Sequence, residues 1–182
     1  MIKTKKDLKR YLKIEKHFYI LCIKDYLKKV ISRNEKIYIW KFQKSLRLAE
    51  YYYNVRNIFS KIMYAYYIRR KNKFGNILGI SMMINTIDEG LEIFHSGSIV
   101  VSGLAKCGKN LKLHGNNCIG NKGVDGPVPI IGDNCDIGFG AVLIGNIKIG
   151  NNIKVGSNAV VTKSFEEGVL VGIPAVCKSG KN

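Results

Sequence analysis

Three histidines, His17, His95 and His114, are the side chains of this sequence whose pKa suits proton transfer near neutrality. An imidazole held against a hydroxyl acts as a general base, and a donor nearby holds the oxyanion that forms on the attacked group. His17 sits at an amphipathic spacing among lysines, where a solvated or half-buried structural role is expected. His95 is flanked by Phe94 and by Ser96-Gly97, and His114 stands between Leu113 and Gly115, so both are expected in turns. The five cysteines (Cys22, Cys107, Cys118, Cys135, Cys177) are odd in number and form no C-x-x-C pair. That pattern argues against a disulfide framework and a structural zinc site, and it fits a reducing cytoplasm. With no metal cluster, Ser-His-Asp arrangement or phosphate-cradling P-loop in the sequence, no metal is expected.

The elements that must position these histidines fall into two compositional parts. Residues 1–73 hold 21 Lys and Arg against 5 Asp and Glu, whereas residues 74–182 hold 9 against 8, so +16 of the +17 net charge lies in the first part. All ten Tyr and Trp40 are there too, while all 19 Gly and all three Pro lie in the second. The expected division is a basic α-helical segment, 1–73, followed by a second domain, 74–182, and the helices are not expected to be needed for that domain to fold. Apolar residues at Leu8, Tyr11, Leu12 and at Ile20, Ile23, Leu27, Val30, Ile31 follow a 3.6-residue period. This predicts helices over about 4–31, 35–54 and 55–71, with Asn34 capping the second.

The basic helical faces suit either plain solvent or an anionic membrane surface, where each Lys or Arg gains roughly 1 kcal/mol. Nucleic acid is not expected as a partner, because no helix-turn-helix signature or aromatic single-strand platform accompanies the charge. The longest apolar run near the N-terminus, Phe18 to Ile23, falls far short of the roughly 20 residues a membrane span needs, so neither a signal peptide nor a transmembrane helix is expected. A cytoplasmic location follows, with peripheral contact at the inner membrane face as one option.

The second part carries a repeat. Aliphatic residues recur every six positions at Ile131, Ile137, Leu143, Ile149, Val155 and Val161, and the same step backwards reaches Ile119, Leu113 and Cys107, broken only at Asp125. An earlier run, Ile87, Ile93 and Ile99, is shifted by two. Glycine follows the anchor at Gly108, Gly120, Gly132, Gly138, Gly150 and Gly156. A hexad is one short strand plus one turn; three close a triangular coil, and stacked coils carry one aliphatic side chain per hexad into an interior column. Glycine suits a corner where a side chain is costly. The long interval from Ile119 to Ile131, with Gly123, Gly126, Pro127 and Pro129, predicts a coil replaced by a protruding loop.

These hexads, together with Ile-Phe-His-Ser-Gly-Ser-Ile-Val-Val (93–101), Ile-Ile-Gly-Asp-Asn-Cys-Asp-Ile-Gly (130–138), Gly-Asn-Ile-Lys-Ile-Gly-Asn-Asn (145–152), Asn-Ala-Val-Val-Thr-Lys (158–163) and Val-Gly-Ile-Pro-Ala (171–175), resemble the hexapeptide-repeat acyltransferases. The chain is most similar to their serine acetyltransferase branch and its relatives in surface-polysaccharide gene clusters. The resemblance covers about residues 75–178, with a weaker helical lead-in ending in Leu46-Arg47 and Glu50-Tyr51-Tyr52. It implies a left-handed parallel β-helix after the α-helical segment, a homotrimer or a multiple of three, and acetyl-CoA as acyl donor for an O-acetyltransferase.

In that resemblance His95 takes the place of the catalytic base, and His114 a position that lines the acceptor pocket. Two acids and a second histidine that the serine enzymes carry are Phe94, Ile80 and Val128 here. Their loss counts against serine and implies a sugar hydroxyl of a surface polysaccharide or its precursor, with serine as the alternative and a non-catalytic trimeric scaffold as the alternative of another class. His95 then needs another orienting group, and Glu92, Asp88 or a main-chain carbonyl across the interface are the candidates. Glu92 and Asp125 are expected at the acceptor, and the 121–129 loop is expected to cover the site. The implied acetyl-CoA contacts are Gly138, Ala141, Ser157, Thr162, Lys163 and, at the 3'-phosphate, Lys178.

Overall fold

The hexad spacing resolves, in the computed structural model, into three parallel sheets wound into one coil; residues 1–123 and 126–172 are described. The first face stacks β1 (Ile80–Met82), β3 (Ile99–Val101), β6 (Cys118–Gly120), β9 (Val142–Ile144) and β12 (Val160–Val161). The second stacks β4 (Lys106–Cys107), β7 (Ile130–Ile131) and β10 (Lys148–Ile149). The third stacks β2 (Glu92–Ile93), β5 (Lys112–Leu113), β8 (Asp136–Ile137), β11 (Lys154–Val155) and β13 (Val169–Leu170). Every pairing is parallel, so this is a β-helix whose chain visits the third, first and second faces in turn.

Register explains the period. Ile93 pairs with Leu113, Leu113 with Ile137 and Ile137 with Val155, giving one interior column. Val101, Ile119, Leu143 and Val161 make a second, and Cys107, Ile131 and Ile149 a third. Each hexad in fact buries two side chains, because Leu91, Ala105, Leu111, Cys135, Ala141, Ile147, Ile153 and Ala159, two positions before their anchors, are buried as well. A fully buried Leu, Ile or Val contributes roughly 1.5–3 kcal/mol over an exposed one, so these columns carry the fold. Burial pushes the Cys107 thiol up to about 12, which makes it a core residue and not a nucleophile.

The glycine after the anchor answers to the next coil. A Cβ on Gly138 would lie 2.6 Å from the Val155 carbonyl oxygen, so the stack of coils excludes a side chain there. Several left-handed corner positions are taken by asparagines, among them Asn110, Asn134 and Asn152, which link edge to edge by amide hydrogen bonds of 2.8 and 3.1 Å. The twelve-residue interval was expected to replace a coil, and it does not. β6 still pairs with β9 and β4 with β7, so the coil is uninterrupted on either side of the interval.

Four helices precede the strands: α1 (Lys5–His17), α2 (Ile23–Ile31), α3 (Glu35–Val55) and α4 (Ile58–Leu78). Asn34 caps α3 as expected, its side chain accepting from the Lys36 N–H. The single helix expected over 4–31 is broken after His17, because Tyr19 and Ile20 turn inward to the core and Cys22 caps a new start, its Sγ accepting from the Asp25 N–H while the Asp25 carboxylate accepts from the Leu21 N–H. α4 runs through Gly75 to the left-handed cap Gly79, several residues past the compositional boundary. Position 75 takes glycine inside the helix because the Ile80 carbonyl oxygen lies 2.6 Å from where a Cβ would be.

The helices close the open end of the solenoid. The first coil has no coil before it, and its main-chain groups there are met by helix side chains. Tyr19 Oη accepts from the Ile93 N–H at 2.8 Å and Gln43 Nε2 donates to the Leu91 carbonyl at 2.7 Å. The fully buried Arg47 donates to the Ile87 and Asp88 carbonyls at 2.8 and 2.7 Å while pairing with Glu15 at 2.7 Å and Glu50 at 2.9 Å. Tyr19, Ile37, Trp40, Phe42 and Leu46 share one apolar cluster with the coil interior. The boundary at 73/74 therefore divides the composition without dividing the core.

Candidate active site

His95 lies on the corner that leads from the third face to the first, immediately after β2. Gly97, at φ +131°, makes the turn in a conformation that suits glycine, and the Ser98 N–H is held by Asn116 Oδ1 at 2.9 Å. The ring is 62% exposed. Its Nδ1 is 3.1 Å from Glu35 Oε1, and the other oxygen of Glu35 accepts from Ser96 Oγ at 2.8 Å and from the Ser96 N–H at 3.2 Å. Glu35 is the first residue of α3, sixty positions upstream. Partial burial works against its ionisation, but the two Ser96 bonds and the imidazole outweigh it and hold the carboxyl below its ordinary value of 4.5. A carboxylate only accepts, so the neutral ring carries its proton on Nδ1 and presents the Nε2 lone pair outward.

His114 occupies the same corner one coil further on. Its ring lies parallel to Phe94, centroids 4.3 Å apart, and its Nε2 is 2.7 Å from Asp136 Oδ1. Gly115, at φ +121°, follows because a Cβ there would press on the Phe139 ring at 3.0 Å. The pairing with Asp136 assigns the ring proton to Nε2 and leaves Nδ1 as the free nitrogen. Both histidines thus have a carboxylate partner. They differ in access, with side-chain exposures of 62% for His95 and 35% for His114.

The candidates for orienting His95 are corrected by this geometry. Asp88 is bound to Tyr11 Oη, the terminal amine and the Glu89 N–H on the far side of β2. Glu92 faces outward in register with Lys112, and the carboxylate at the ring is Glu35. Ile80 is a core residue of β1, and Phe94 is the stacking partner of His114. Asn117 is buried beneath the corner, accepting from the Gly115 N–H at 3.0 Å and donating to the Gly138 carbonyl at 2.7 Å. Glu35, Asp136 and Asn117 escaped the sequence reading; only Asp136, beside the Ile137 anchor, had a local cue.

Of the expected acetyl-CoA contacts, Gly138 and Ser157 share the corner of the two histidines. The Gly138 N–H already donates to the Val155 carbonyl at 2.7 Å. Ala141 is fully buried with its N–H on the Gly138 carbonyl at 3.1 Å, so neither amide is free for a ligand. Ser157, Thr162 and Lys163 are exposed. Thr162 and Lys163 lie on the next corner, between the first and second faces, where Thr162 joins Lys122, Pro127, Ile144, Gly145 and Asn146 around a cavity of about 640 Å³. Lys122 and Pro127 of the loop flank this corner and not the His95 corner of their own chain. Asp125 and Lys178 lie outside the described residues. Among the described residues, no helix is long and apolar enough to cross a membrane.

No family model matches the chain. It is 34% identical over 90 residues to a serine acetyltransferase of Mycobacterium tuberculosis, covering 47% of this chain and 39% of that protein. It is 35% identical over 91 residues to one of Staphylococcus aureus, covering 48% and 43%. The chain thus spans about two fifths of the length of these curated relatives. Among solved structures, the serine acetyltransferase of Neisseria gonorrhoeae superposes with a TM-score of 0.61 at 25% identity over 97% of this chain and 68% of that one. Soybean serine acetyltransferase complexed with serine gives 0.68 at 22% identity over 94% and 69%. The chain is therefore similar in sequence to serine acetyltransferases over about half its length, and its fold is theirs, a left-handed parallel β-helix behind N-terminal helices.

Proposed function

We propose that the protein is an acetyl-CoA-dependent O-acetyltransferase in which His95 is the general base. The observation that carries this is the solvent-facing Nε2 of an imidazole whose Nδ1 is tied to a carboxylate, on a corner of a fold shared with acetyltransferases. Nε2 takes the proton of the acceptor hydroxyl as its oxygen attacks the thioester carbonyl. The C–S bond then breaks, and the departing thiolate takes that proton back from the imidazolium. The products are an O-acetyl ester and free CoA, with no metal and no covalent enzyme intermediate.

The acceptor that fits best is a sugar hydroxyl of a surface polysaccharide or its precursor. Serine is a zwitterion whose ammonium calls for dedicated carboxylates, and the two positions where the serine enzymes carry acids hold Phe94 and Ile80 here, while Glu35 and Asp136 are already engaged by the two histidines. The names of the relatives favour serine as the second reading. His114 and Glu92 flank the acceptor, and Ser157, Thr162 and Lys163 serve the donor, Lys163 as a point charge for phosphate.

The working unit is a homotrimer. His95 and the Thr162–Lys163 corner sit on different edges of one chain, so a site that uses both is built between two chains. The first face between those edges supports this: its outward column is Val100, Cys118, Val142 and Val160, with Val160 68% exposed, whereas the second face presents Lys106 and Lys148 and the third Lys112 and Lys154. The anionic membrane contact is supported by α2, which buries none of its residues and exposes Ile23, Leu27 and Ile31 beside Lys24 and Lys28. Leu27→Glu should abolish binding to anionic vesicles, and equal binding by this variant removes the membrane from the reading.

A thiol-release assay with acetyl-CoA over a panel of sugars and serine tests the activity. Release that depends on a sugar supports the first reading and release with serine alone the second. No turnover and no CoA binding would leave a non-catalytic trimer.

A further inference from the structure

We propose that Glu35 is the positioning residue of the base, so that the helical segment supplies one half of a histidine–carboxylate pair whose other half lies on the β-helix. This rests on the acetyl-transfer reading for its consequence in rate, and on geometry alone for the pair itself. The carboxylate contacts two consecutive residues of the corner. One oxygen faces His95 Nδ1 at 3.1 Å, and the other takes both donors of Ser96, at 2.8 and 3.2 Å. A carboxylate held at three points cannot swing away, so it fixes the ring's orientation as well as its tautomer.

The position of Glu35 adds to this. It directly follows the Asn34 cap, at the end of α3 where a negative charge is favoured, and its backbone is set by the helix. α3 is in turn fastened to the first coil through Gln43 and Arg47, which donate to the Leu91 and Ile87 carbonyls a few residues before His95. The helix therefore holds both the strand that ends at the histidine and the acid that orients it. As the imidazole gains the acceptor's proton on Nε2, the carboxylate at Nδ1 stabilises the imidazolium, an interaction stronger in the transition state than in the resting enzyme.

The test has one readout that does not need turnover. Nitrogen–proton correlation spectra of the full-length protein with labelled histidine rings should show neutral His95 as the Nδ1–H tautomer. Glu35→Gln should shift it toward Nε2–H, and Glu35→Asp should keep Nδ1–H. In the assay, Glu35→Gln should lower kcat by about 100-fold, the scale of a misplaced catalytic group, with the KM for acetyl-CoA unchanged and circular dichroism intact. Glu35→Asp should recover part of the loss.

An unchanged tautomer in Glu35→Gln overturns the inference. So does a tautomer change with full kcat, when His95→Ala abolishes activity. If the wild-type tautomer is Nδ1–H and responds to Glu35→Gln while no acceptor is acetylated, the pair stands and the acetyl-transfer reading falls.

Discussion

His95 and His114 are imidazoles of the same kind in unlike surroundings, and the difference sets what each can do. His95 is tied at Nδ1 by Glu35 and open at Nε2; His114 is tied at Nε2 by Asp136 and covered on one ring face by Phe94. A base must reach the hydroxyl it deprotonates, and access favours His95. His95→Ala should lower kcat by about 100-fold or more with the fold intact, the usual worth of a positioned general base. His114→Ala should act mainly on the acceptor KM, because a pocket wall contributes to ground and transition states alike. Steady-state kinetics of the two variants decide between them. Full activity in His95→Ala with none in His114→Ala would move the base to the His114–Asp136 pair.

At the scale of elements, the helices act as the end cap of a solenoid. A β-helix leaves unpaired main-chain groups at each end, and α1, the turn after it and α3 answer them at the first coil with Glu15, Tyr19, Gln43 and Arg47. Arg47→Ala would strip the cation from Glu15 and Glu50 and leave the Ile87 and Asp88 carbonyls without a donor. Removing one partner of a fully buried pair costs about 3–5 kcal/mol, a large share of a domain's stability. Urea unfolding should show that loss as a lower midpoint, and an unchanged midpoint would mean the cap is dispensable. The same contacts predict that residues 74–182 without the helices are less stable than the whole chain, because the truncated chain would expose the groups these side chains satisfy.

For the whole molecule, the arrangement of edges and faces argues for shared sites. The His95 corner and the loop corner border the apolar first face, and the proposed threefold assembly would bring the loop corner of one chain to the His95 corner of the next. Val160→Glu places a charge in the apolar column and should convert the proposed trimer to monomer, with activity lost and the secondary structure retained. Light scattering and circular dichroism measure the two outcomes. An active monomer would place a complete site on one chain.

Residue order alone determined the coil, since a six-residue aliphatic period has few other physical solutions: the interior columns, the exposed corners and the place of His95 and His114 on two turns all follow from it. It also determined the caps at Asn34 and the basic, breaker-free helices. What only the tertiary structure decided is everything that depends on contact between distant segments. Glu35 reaches His95 across sixty positions, Arg47 reaches Asp88 across forty-one, and nothing in the local pattern of either links them. The break after His17 came from Tyr19 turning to the Ile93 N–H, a tertiary bond that overrides a helical period. Local periodicity is written by burial along one element, whereas an orienting carboxylate is chosen by where two elements meet.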